Sequence, residues 1–248
     1  MTDAKERFDA MFSGIIGLDY DQLQLICPAA TQMSRRVGLA VGCYPKPSER
    51  TLNVVELGGG TGITTLALLT SGQKLSITSI DNEPTMQNQA KKHLRTWVDN
   101  KQLTFCANDA LTALKDRQTD SVDIVASTYT IHNFENSYRA DVIKEIFRVL
   151  KPGGQFINGD RYGLDDITAH TRLVQNEISD YFKVLIRDNK PDLLEHWIIH
   201  LFNDESQNHV MRETASLQQL EEAGFQNIAL SRYIAVNALV TASKPPPV

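Results

Sequence analysis

The segment from residue 54 to residue 62 constrains the fold most, because it reads Val-Val-Glu-Leu-Gly-Gly-Gly-Thr-Gly, an apolar run that ends in a cluster of glycines. Glycines let a chain turn sharply and approach a ligand closely, and a helix that follows presents free backbone N–H groups. The pattern therefore predicts a buried strand and a nucleotide-like ligand at its carboxyl end. The dinucleotide motif G-x-G-x-x-G needs glycine or alanine at the position of Ile63, so NAD is disfavoured.

A carboxylate follows the next apolar run, residues 75–80, which ends in Asp81. At the tip of a neighbouring strand, such a carboxylate can accept hydrogen bonds from both hydroxyls of a ribose. The glycines alone are also compatible with a purely structural strand-to-helix turn. Together with Asp81 they favour a cofactor site.

Short apolar runs alternate with amphipathic stretches from residue 52 onward, which is the pattern of a parallel sheet covered by helices. The strand-like runs are 52–57, 75–80, 103–105, 122–127 and 155–158, and the helix-like runs are 63–70, 86–99 and 141–150. A helix at 216–223, which ends before Gly224, precedes two further strand-like runs at 227–233 and 235–242. We therefore predict a doubly wound α/β fold with helices on both faces of the sheet.

A chain of 248 residues with 42% hydrophobic residues can bury one substantial core, so we predict a single domain over residues 1–248. Its predicted parts are a helical lead-in (1–50), a cofactor-binding core (51–160), a helical lid insertion (161–212) and a C-terminal helix with strands (213–244). Prolines at 45 and 47 end the lead-in, because they cannot continue a helix.

The charge balance limits the partners, since 25 basic and 30 acidic residues give a formal net charge of -5. Without a global positive field, a nucleic-acid substrate is disfavoured. The three cysteines lack paired spacing, which argues against a disulfide framework and a zinc knuckle. No apolar run approaches the ~20 residues of a membrane span. We expect a cytoplasmic protein with a small-molecule substrate, no membrane or nucleic-acid partner, and an assembly compatible with a homodimer.

Over residues 52–160 the chain resembles the class I S-adenosylmethionine-dependent methyltransferases, whose motif parts occur here in order. Besides the glycine segment and Asp81, these parts are Asn108-Asp109-Ala110, the fourth-strand motif at 122–127 and the turn Leu150-Lys151-Pro152-Gly153-Gly154. The resemblance implies S-adenosyl-L-methionine as cofactor, with S-adenosyl-L-homocysteine as product. It also implies a seven-stranded, mostly parallel sheet whose last strand is antiparallel.

The same resemblance implies a set of cofactor contacts. In that family the glycine segment faces the amino-acid and ribose parts of the cofactor, the acidic residue takes the ribose hydroxyls, and the following segments meet the adenine. The implied cofactor-binding residues here are Glu56, Gly58, Gly60, Gly62, Asp81, Asn82, Asp109, Ala110 and Ser127. Asp109 is equally compatible with a helix N-cap, a position that aspartate favours.

Methyl transfer needs mainly alignment, because the cofactor's sulfonium is already activated. In the family the acceptor lies beyond the fourth strand, here at residues 127–134, and the Asp/Asn-Pro-Pro-aromatic motif for nucleobase amino groups is absent there. His132 is the first candidate base, since an imidazole titrates near neutral pH; packing or capping is its alternative. Tyr129 and Asp160 complete the candidate catalytic set. Asp160 and Arg161 lie where ligands gather at a sheet edge, or pair with each other on the surface.

Several side chains after the fifth strand could ligate a metal, namely Asp160, Asp165, Asp166, Glu195, His196 and His200. His196 and His200 would share a helix face, but the glutamate that follows the first histidine in zincins is missing. We therefore expect no metal. Carboxylate clamps are conceivable at Arg172, Arg187 and Arg212, although exposed ion pairs are the commoner arrangement.

The predicted lid carries the aromatic residues Tyr181, Phe182, Trp197 and Phe202. They either line an apolar pocket for a small acceptor and exclude water, or only anchor the lid to the core. We favour a small, partly apolar acceptor, because a small pocket needs such a lid.

Two alternatives stay open. The lead-in phrase at 8–12, the phrase Asp160-Arg161-Tyr162 and the helical insertion also resemble carboxy-S-adenosylmethionine synthase, an enzyme that alters the cofactor itself. That function would require an arginine to hold the added carboxylate. The other alternative is a protein that binds the cofactor without catalysis.

Overall fold

The computed structural model describes residues 28–45 and 50–246 of the chain. Most of the predicted lead-in, including the phrase at residues 8–12, lies outside the described residues. The described part of the lead-in is helix α1, Pro28–Gly42. Its proline stands at the start of the helix, where its missing N–H costs no hydrogen bond.

The strands and helices alternate from residue 52 as the apolar pattern predicts. The strands are β1 (Leu52–Leu57), β2 (Leu75–Ile80), β3 (Leu103–Cys106), β4 (Val122–Thr128), β5 (Leu150–Arg161), β6 (Gln226–Ile234) and β7 (Asn237–Ser243). The helices after α1 are α2 (Ile63–Leu69), α3 (Pro84–His93), α4 (Arg95–Asp99), α5 (Ala110–Lys115), α6 (Asn136–Val149), α7 (Ile167–Arg187), α8 (Pro191–Asp204) and α9 (Glu213–Glu222). A short 3-10 helix, Ile131–Asn133, follows β4.

The seven strands form one sheet in the order β3-β2-β1-β4-β5-β7-β6. The pairs among β1 to β5 are parallel, whereas β7 is antiparallel to both β5 and β6. The predicted fold class is thereby confirmed, including the antiparallel last strand. Because the strand order reverses between β1 and β4, the carboxyl ends of these two strands flank the crevice where ligands bind in such sheets.

The side chains of the central strands alternate between two hydrophobic cores, one on each face of the sheet. Val55, Val125 and Phe156 belong to the core that also contains α6 residues. Their neighbours Val54, Ile124 and Ile157 belong to the other core, which includes Val37 and Val41 of α1. A strand that is buried on both faces reads as a continuous apolar run, which is why these strands show no polar alternation in the sequence.

Element boundaries differ from the sequence-based ones where the pattern was ambiguous. The helix expected at 86–99 is divided at Leu94 into α3 and α4, and the helix expected at 141–150 begins earlier, at Asn136. Strand β5 is longer than expected because Leu150 already pairs with Val122, ahead of the turn at Gly153, whose φ is 79°. A left-handed φ at this position suits glycine, as the predicted turn requires.

The two lid helices carry a small hydrophobic core of their own. Tyr181 of α7 and Trp197 of α8 are buried in it together with neighbouring leucines, while Phe182 and Phe202 are 50% and 69% exposed. The aromatic residues therefore hold α7 to α8 or face outward, which favours anchoring over lining a pocket. Among the helices described, none has the length and apolarity needed to cross a bilayer.

A buried carboxylate connects the start of β4 with two other segments at the amino-terminal edge of the sheet. Asp123 accepts two hydrogen bonds from Arg50, at 2.8 and 3.1 Å, and one from the backbone N–H of Asn53 at 2.8 Å. Lys151 donates from its Nζ at 3.0 and 3.1 Å. Burial alone would raise the pKa of Asp123, but these donors lower it below its ordinary value.

We predict that Asp123→Ala lowers the free energy of unfolding by about 2 kcal/mol, because it leaves two cations without their carboxylate; the partial exposure of Arg50 keeps the loss below that of a fully buried pair. Chemical denaturation at neutral pH measures it. The native pKa of Asp123 is depressed, so its contribution is complete above the unfolded-state value of about 4 and disappears as the pH falls through the native value. Asp141→Ala, which removes an exposed carboxylate, is the control and should change stability little.

Candidate active site

The glycine segment forms a tight turn between β1 and α2 at the crevice. Gly58, Gly60 and Gly62 have φ values of 68°, 52° and 95°, a region that other L-residues rarely adopt. The N–H groups of Gly58 and Gly59 both donate to the carbonyl of Ile80, at 2.8 and 3.2 Å. The turn is thus fixed against the end of β2.

The turn also leaves no room for side chains at two positions. A Cβ on Gly58 would lie 2.0 Å from Oγ1 of Thr130, and a Cβ on Gly59 would lie 1.9 Å from Oγ of Ser79. Thr130 in turn donates to the carbonyl of Leu57 at 3.2 Å. The segment after β4 therefore packs directly against the glycine turn, as the sheet order requires.

Asp81 lies beside the glycine turn at the end of β2. Its Oδ2 accepts a hydrogen bond from the N–H of Gly60 at 2.7 Å, and its Oδ1 accepts one from the N–H of Glu83 at 2.8 Å. Burial raises the pKa of Asp81 above its ordinary value, although both backbone donors act in the opposite direction. Since each carboxylate oxygen has two lone pairs, Asp81 retains acceptor capacity for a ligand hydroxyl.

Glu56 lies underneath the same turn. It is fully buried, and its Oε2 accepts a hydrogen bond from Oγ1 of Thr65 at 2.7 Å. Burial raises the pKa of Glu56 to about 7. Glu56 therefore connects β1 to the first turn of α2, and its contact with a cofactor stays a prediction.

The other predicted cofactor residues surround this edge of the sheet. Asn82 is exposed, and Ala110 and Ser127 are buried. Asp109 is the N-cap of α5, where its Oδ1 accepts hydrogen bonds from the N–H of Thr112 at 3.0 Å and from the Tyr138 hydroxyl at 2.9 Å. The capping alternative is thus observed for Asp109, while its contact with adenine stays a prediction.

On the side where the acceptor is expected, the structure brings two of the three candidate catalytic residues together. His132, in the 3-10 helix, is buried, and its Nδ1 lies 2.5 Å from Oδ1 of Asp160. Its Nε2 lies 3.6 Å from Oδ2 of Asp204 on α8. Burial by itself would lower the pKa of the imidazole, but the adjacent carboxylates raise it to about 9.

These surroundings place His132 and Asp160 in direct contact. The packing alternative is thus observed for His132, whose ring is buried between two carboxylates, while its role as a general base stays a prediction. Asp160 is fully buried. It also accepts hydrogen bonds from the N–H groups of Ile131 and Arg161, at 3.0 and 2.8 Å. Asp160 therefore positions the segment after β4, and its contact with a substrate stays a prediction.

The third candidate, Tyr129, directly follows β4 and has a left-handed conformation with a φ of 49°. Its hydroxyl donates to Oδ1 of Asn237 at 2.6 Å, and its ring centroid lies 6.2 Å from that of His132. A non-glycine residue with positive φ is uncommon and occurs disproportionately at functional sites. Tyr129 thus lies where the chain turns from β4 toward the 3-10 helix that carries His132.

Arg139, which the sequence analysis did not single out, fixes the segment that carries His132. From α6 its guanidinium donates to the carbonyls of Ile131 and Phe134, at 3.2 and 2.6 Å, and also to the carbonyl of His209. Burial lowers the pKa of Arg139 to about 10. A signal was present, because Arg139 occupies the buried helix face shared with Val142 and Ile143.

Arg161 does not pair with the Asp160 side chain on the surface, so that alternative is wrong. It extends under the lid instead, where its guanidinium contacts Glu177 of α7 at 2.8 Å and Glu205 at 3.0 Å. Nε2 of His170 lies 2.6 Å from the other oxygen of Glu205. These contacts connect the end of β5 with α7 and the end of α8.

The remaining metal-capable residues and arginines from the sequence analysis do not join the site. Asp165 accepts a hydrogen bond from Thr214, and Asp166 is the N-cap of α7. Glu195 is exposed. Nδ1 of His196, on the outer part of α8, lies 2.7 Å from the carbonyl oxygen of Asp192. Arg172 is exposed, Arg187 pairs with Asp188, and Arg212 donates to the carbonyl of Leu164. Of the metal-capable set, Asp160 and His200 lie near His132.

The mostly parallel sheet, the left-handed glycine turn at its switch point and the acidic residue on the neighbouring strand define the Rossmann-like class of proteins. Within that class, residues 54–154 match the family described as a methyltransferase domain. The resemblance to S-adenosylmethionine-dependent methyltransferases is thereby confirmed, and it is carried by residues 54–154.

Similar proteins agree with this family. A demethylmenaquinone methyltransferase of Leptospira interrogans is 28% identical over 207 residues, which cover 79% of this chain and 76% of that protein. A carboxy-S-adenosyl-L-methionine synthase of a Shewanella species is 24% identical over 228 residues, 90% of this chain and 86% of the other. Among solved structures, an O-methyltransferase family protein of Burkholderia thailandensis shares the fold with a TM-score of 0.67 and 16% identity; the match covers 94% of this chain and 60% of that longer one.

We predict that Gly59→Ala destabilises the protein by about 1–3 kcal/mol, because its Cβ overlaps the Ser79 hydroxyl. Gly59 does not have a left-handed φ, so the cost is steric. Ser79→Ala in the same chain removes the overlapping oxygen and leaves the Ser79 Cβ at 3.4 Å. Thermal unfolding of the wild type, both single variants and the double variant tests this. Purely additive single effects would contradict the packing described for the turn.

Proposed function

We propose that this protein transfers the methyl group of S-adenosyl-L-methionine to a small-molecule acceptor by in-line displacement. The observation that carries the proposal is the position of Asp81, whose carboxylate is held beside the left-handed glycine turn by the N–H of Gly60. The methyltransferase domain at residues 54–154 supports the same reaction. The proposed location is a reducing cytoplasm, which the free cysteines Cys43 and Cys106 fit.

The polar groups at the crevice fit a cofactor with hydroxyl, carboxylate and ammonium groups. The hydroxyls of Thr61, in the glycine turn, and Ser127, at the end of β4, are buried and have no hydrogen-bond partner in the described residues. An unpaired buried hydroxyl costs about 1–3 kcal/mol, so a ligand that supplies partners is favoured there. The remaining lone pairs of Asp81 could accept hydrogen bonds from the two hydroxyls of a ribose. The carboxyl group of Glu56 suits the ammonium group of the cofactor's methionine moiety.

The chain's own contribution to this reaction is alignment. The cofactor, when bound, supplies an activated methyl group on a sulfonium. Asp81 and the glycine turn would hold one reactant at the carboxyl ends of β1 and β2. The segment after β4 packs on that turn through Thr130 and would present the acceptor from the other side, which places two reactants in contact and removes most of the entropic barrier.

Side-chain contacts connect the lid helices to the proposed acceptor side. His132 lies under α8, and the lid helices are tied to the end of β5 by Arg161 and its acidic partners. A covered site of this kind suits a small molecule, because a macromolecular acceptor needs open access. The formal net charge of -5 also disfavours a polyanionic acceptor.

We expect Asp81→Asn to weaken binding of S-adenosyl-L-methionine at least about tenfold, because it removes charge-assisted hydrogen bonds worth about 1.5–3 kcal/mol each. Calorimetric titration measures the affinity, and circular dichroism checks that the variant is folded. Asp99→Asn, which removes the same charge from an exposed helix end, is the control and should bind as the wild type does.

NAD serves as the competing ligand in the same titration, and we expect no binding. Wild-type protein that ignores S-adenosyl-L-methionine, or that prefers NAD, would contradict the proposed function. Retention of full affinity in Asp81→Asn would contradict the site. Formation of S-adenosyl-L-homocysteine with a pool of small acceptors separates an enzyme from a protein that binds the cofactor without turnover.

A second candidate function is modification of the cofactor itself, favoured by the similarity to carboxy-S-adenosyl-L-methionine synthase over 228 residues. That product carries an added carboxylate, which needs a free cation. The buried arginines near the acceptor side are already committed, Arg139 to backbone carbonyls and Arg161 to Glu177 and Glu205. These contacts argue for methyl transfer.

Mass spectrometry of the cofactor extracted from the purified protein distinguishes the two functions. We expect the masses of S-adenosyl-L-methionine or S-adenosyl-L-homocysteine. A cofactor heavier by a carboxyl group would favour the second candidate and would mean that one of the committed arginines changes partner. Incubation with labelled S-adenosyl-L-methionine before extraction excludes carry-over from the expression host.

A further inference from the structure

Three side chains from distant parts of the chain converge under the lid. They are His132, from the 3-10 helix after β4, and His200 and Asp204, one helical turn apart on α8. One ligand atom of each residue lies within 4.8 Å of the other two, and all three residues are buried. Oδ2 of Asp204 lies 3.6 Å from Nε2 of His132 and 3.5 Å from Nε2 of His200.

These distances are long for hydrogen bonds but fit the edges of a metal coordination sphere. Hydrogen bonds from a ring nitrogen to a carboxylate measure about 2.7–2.9 Å. Two nitrogen or oxygen ligands of a tetrahedral Zn²⁺, each about 2.0–2.1 Å from the ion, are about 3.3 Å apart. The carboxylate of Asp204 thus stands at ligand spacing from both imidazoles.

The surroundings of His132 match those of metal-bound histidines. Its Nδ1 lies 2.5 Å from Oδ1 of Asp160. An ionised carboxylate only accepts hydrogen bonds, so Nδ1 carries the hydrogen and Nε2 faces His200 and Asp204. Histidine ligands commonly donate their other ring N–H to a carboxylate in this way, which fixes the ring orientation.

Asp204 also needs a cation for electrostatic reasons. It is 6% exposed, and its Oδ1 has no hydrogen-bond partner in the described residues. A buried carboxylate is costly unless it is paired or bound to a metal. The nearby guanidinium of Arg161 contacts Glu177 and Glu205 directly. Asp204 instead faces the imidazoles of His132 and His200, at 3.6 and 3.5 Å.

We infer that His132, His200 and Asp204 bind a divalent transition-metal ion of the zinc type. Two imidazoles and one carboxylate are borderline ligands that suit such an ion, and three protein ligands leave a fourth position open. The site differs from the sequence-based expectation of no metal, because its ligands come from segments that no local motif connects. Metal binding here does not depend on the proposed methyl transfer.

The position of the site suggests what an ion would do. His132 follows Thr130, which packs on the glycine turn, so the ion would lie on the acceptor side of the crevice. A divalent ion with an open position polarises an oxygen or nitrogen that binds to it and lowers the pKa of its proton. It would thus activate an acceptor that binds at the open position.

The test is titration of untagged, chelator-treated protein with Co²⁺, followed by displacement with Zn²⁺. Bound Co²⁺ with nitrogen and oxygen ligands in a tetrahedral site gives strong visible absorption, and we expect one ion per chain in the absence of any cofactor. Wild-type protein that shows no such absorption and retains no Zn²⁺ after gel filtration overturns the inference, whatever the variants do.

Variants identify the ligands. Asp204→Asn and His200→Gln should each remove the absorption or weaken binding at least about tenfold, and Asp160→Asn should weaken it about 10- to 100-fold through His132. His196→Gln changes a histidine on the same helix outside the cluster and should bind as the wild type does. Unchanged binding in both ligand variants, or loss of binding in His196→Gln alone, overturns the assignment. If one ligand variant fails to fold, the other decides.

The outcome stays separate from that of the proposed function. Titration with S-adenosyl-L-methionine is carried out on both metal-loaded and metal-free protein. Metal binding without cofactor binding would contradict the proposed function and leave the metal site standing. Cofactor binding by a wild type that takes up no Co²⁺ or Zn²⁺ would do the reverse.

Discussion

The carboxylate of Asp160 holds the acceptor half of the site together. It is fully buried at the end of β5 and faces the backbone N–H of Ile131, the backbone of Arg161 and the imidazole of His132. Burial of a charge is tolerated only when hydrogen bonds replace its hydration. The short 3-10 helix after β4 directs its first backbone N–H to this carboxylate, and the contact with Asp160 orients the ring of His132.

The cofactor half depends on a different kind of constraint. There the backbone fixes most of the geometry, because the turn contains left-handed glycines and is hydrogen-bonded to the carbonyl of Ile80. Asp81 is the side chain proposed to contact the cofactor, and two backbone N–H groups fix the position of its carboxylate. This difference explains why one half of the site was predictable and the other was not. Glycines and an acidic residue at strand ends are visible in a local pattern, as were the apolar runs of β1, β2 and β4.

The acceptor half is assembled by contacts between segments far apart in the chain, which no local pattern encodes. His132 was singled out from the sequence, but its position between two carboxylates was not predicted, because these come from β5 and α8. Asp204 was missed because an aspartate near a helix end is usually solvated. Of the two alternatives for the lid aromatics, anchoring is favoured, since α7 and α8 pack on each other through Tyr181 and Trp197.

The family match covers the glycine turn and Asp81 but only part of the cluster around His132. The family match covers residues 54–154 and so includes the glycine turn, Asp81 and His132. Asp160, His200 and Asp204 lie beyond it, as do both lid helices. The family match therefore bears on the proposed cofactor side, whereas the carboxylates around His132 lie outside it. Similarity over residues 54–154 accordingly leaves the acceptor open, because the carboxylates of Asp160 and Asp204, which contact His132, come from a separate part of the fold.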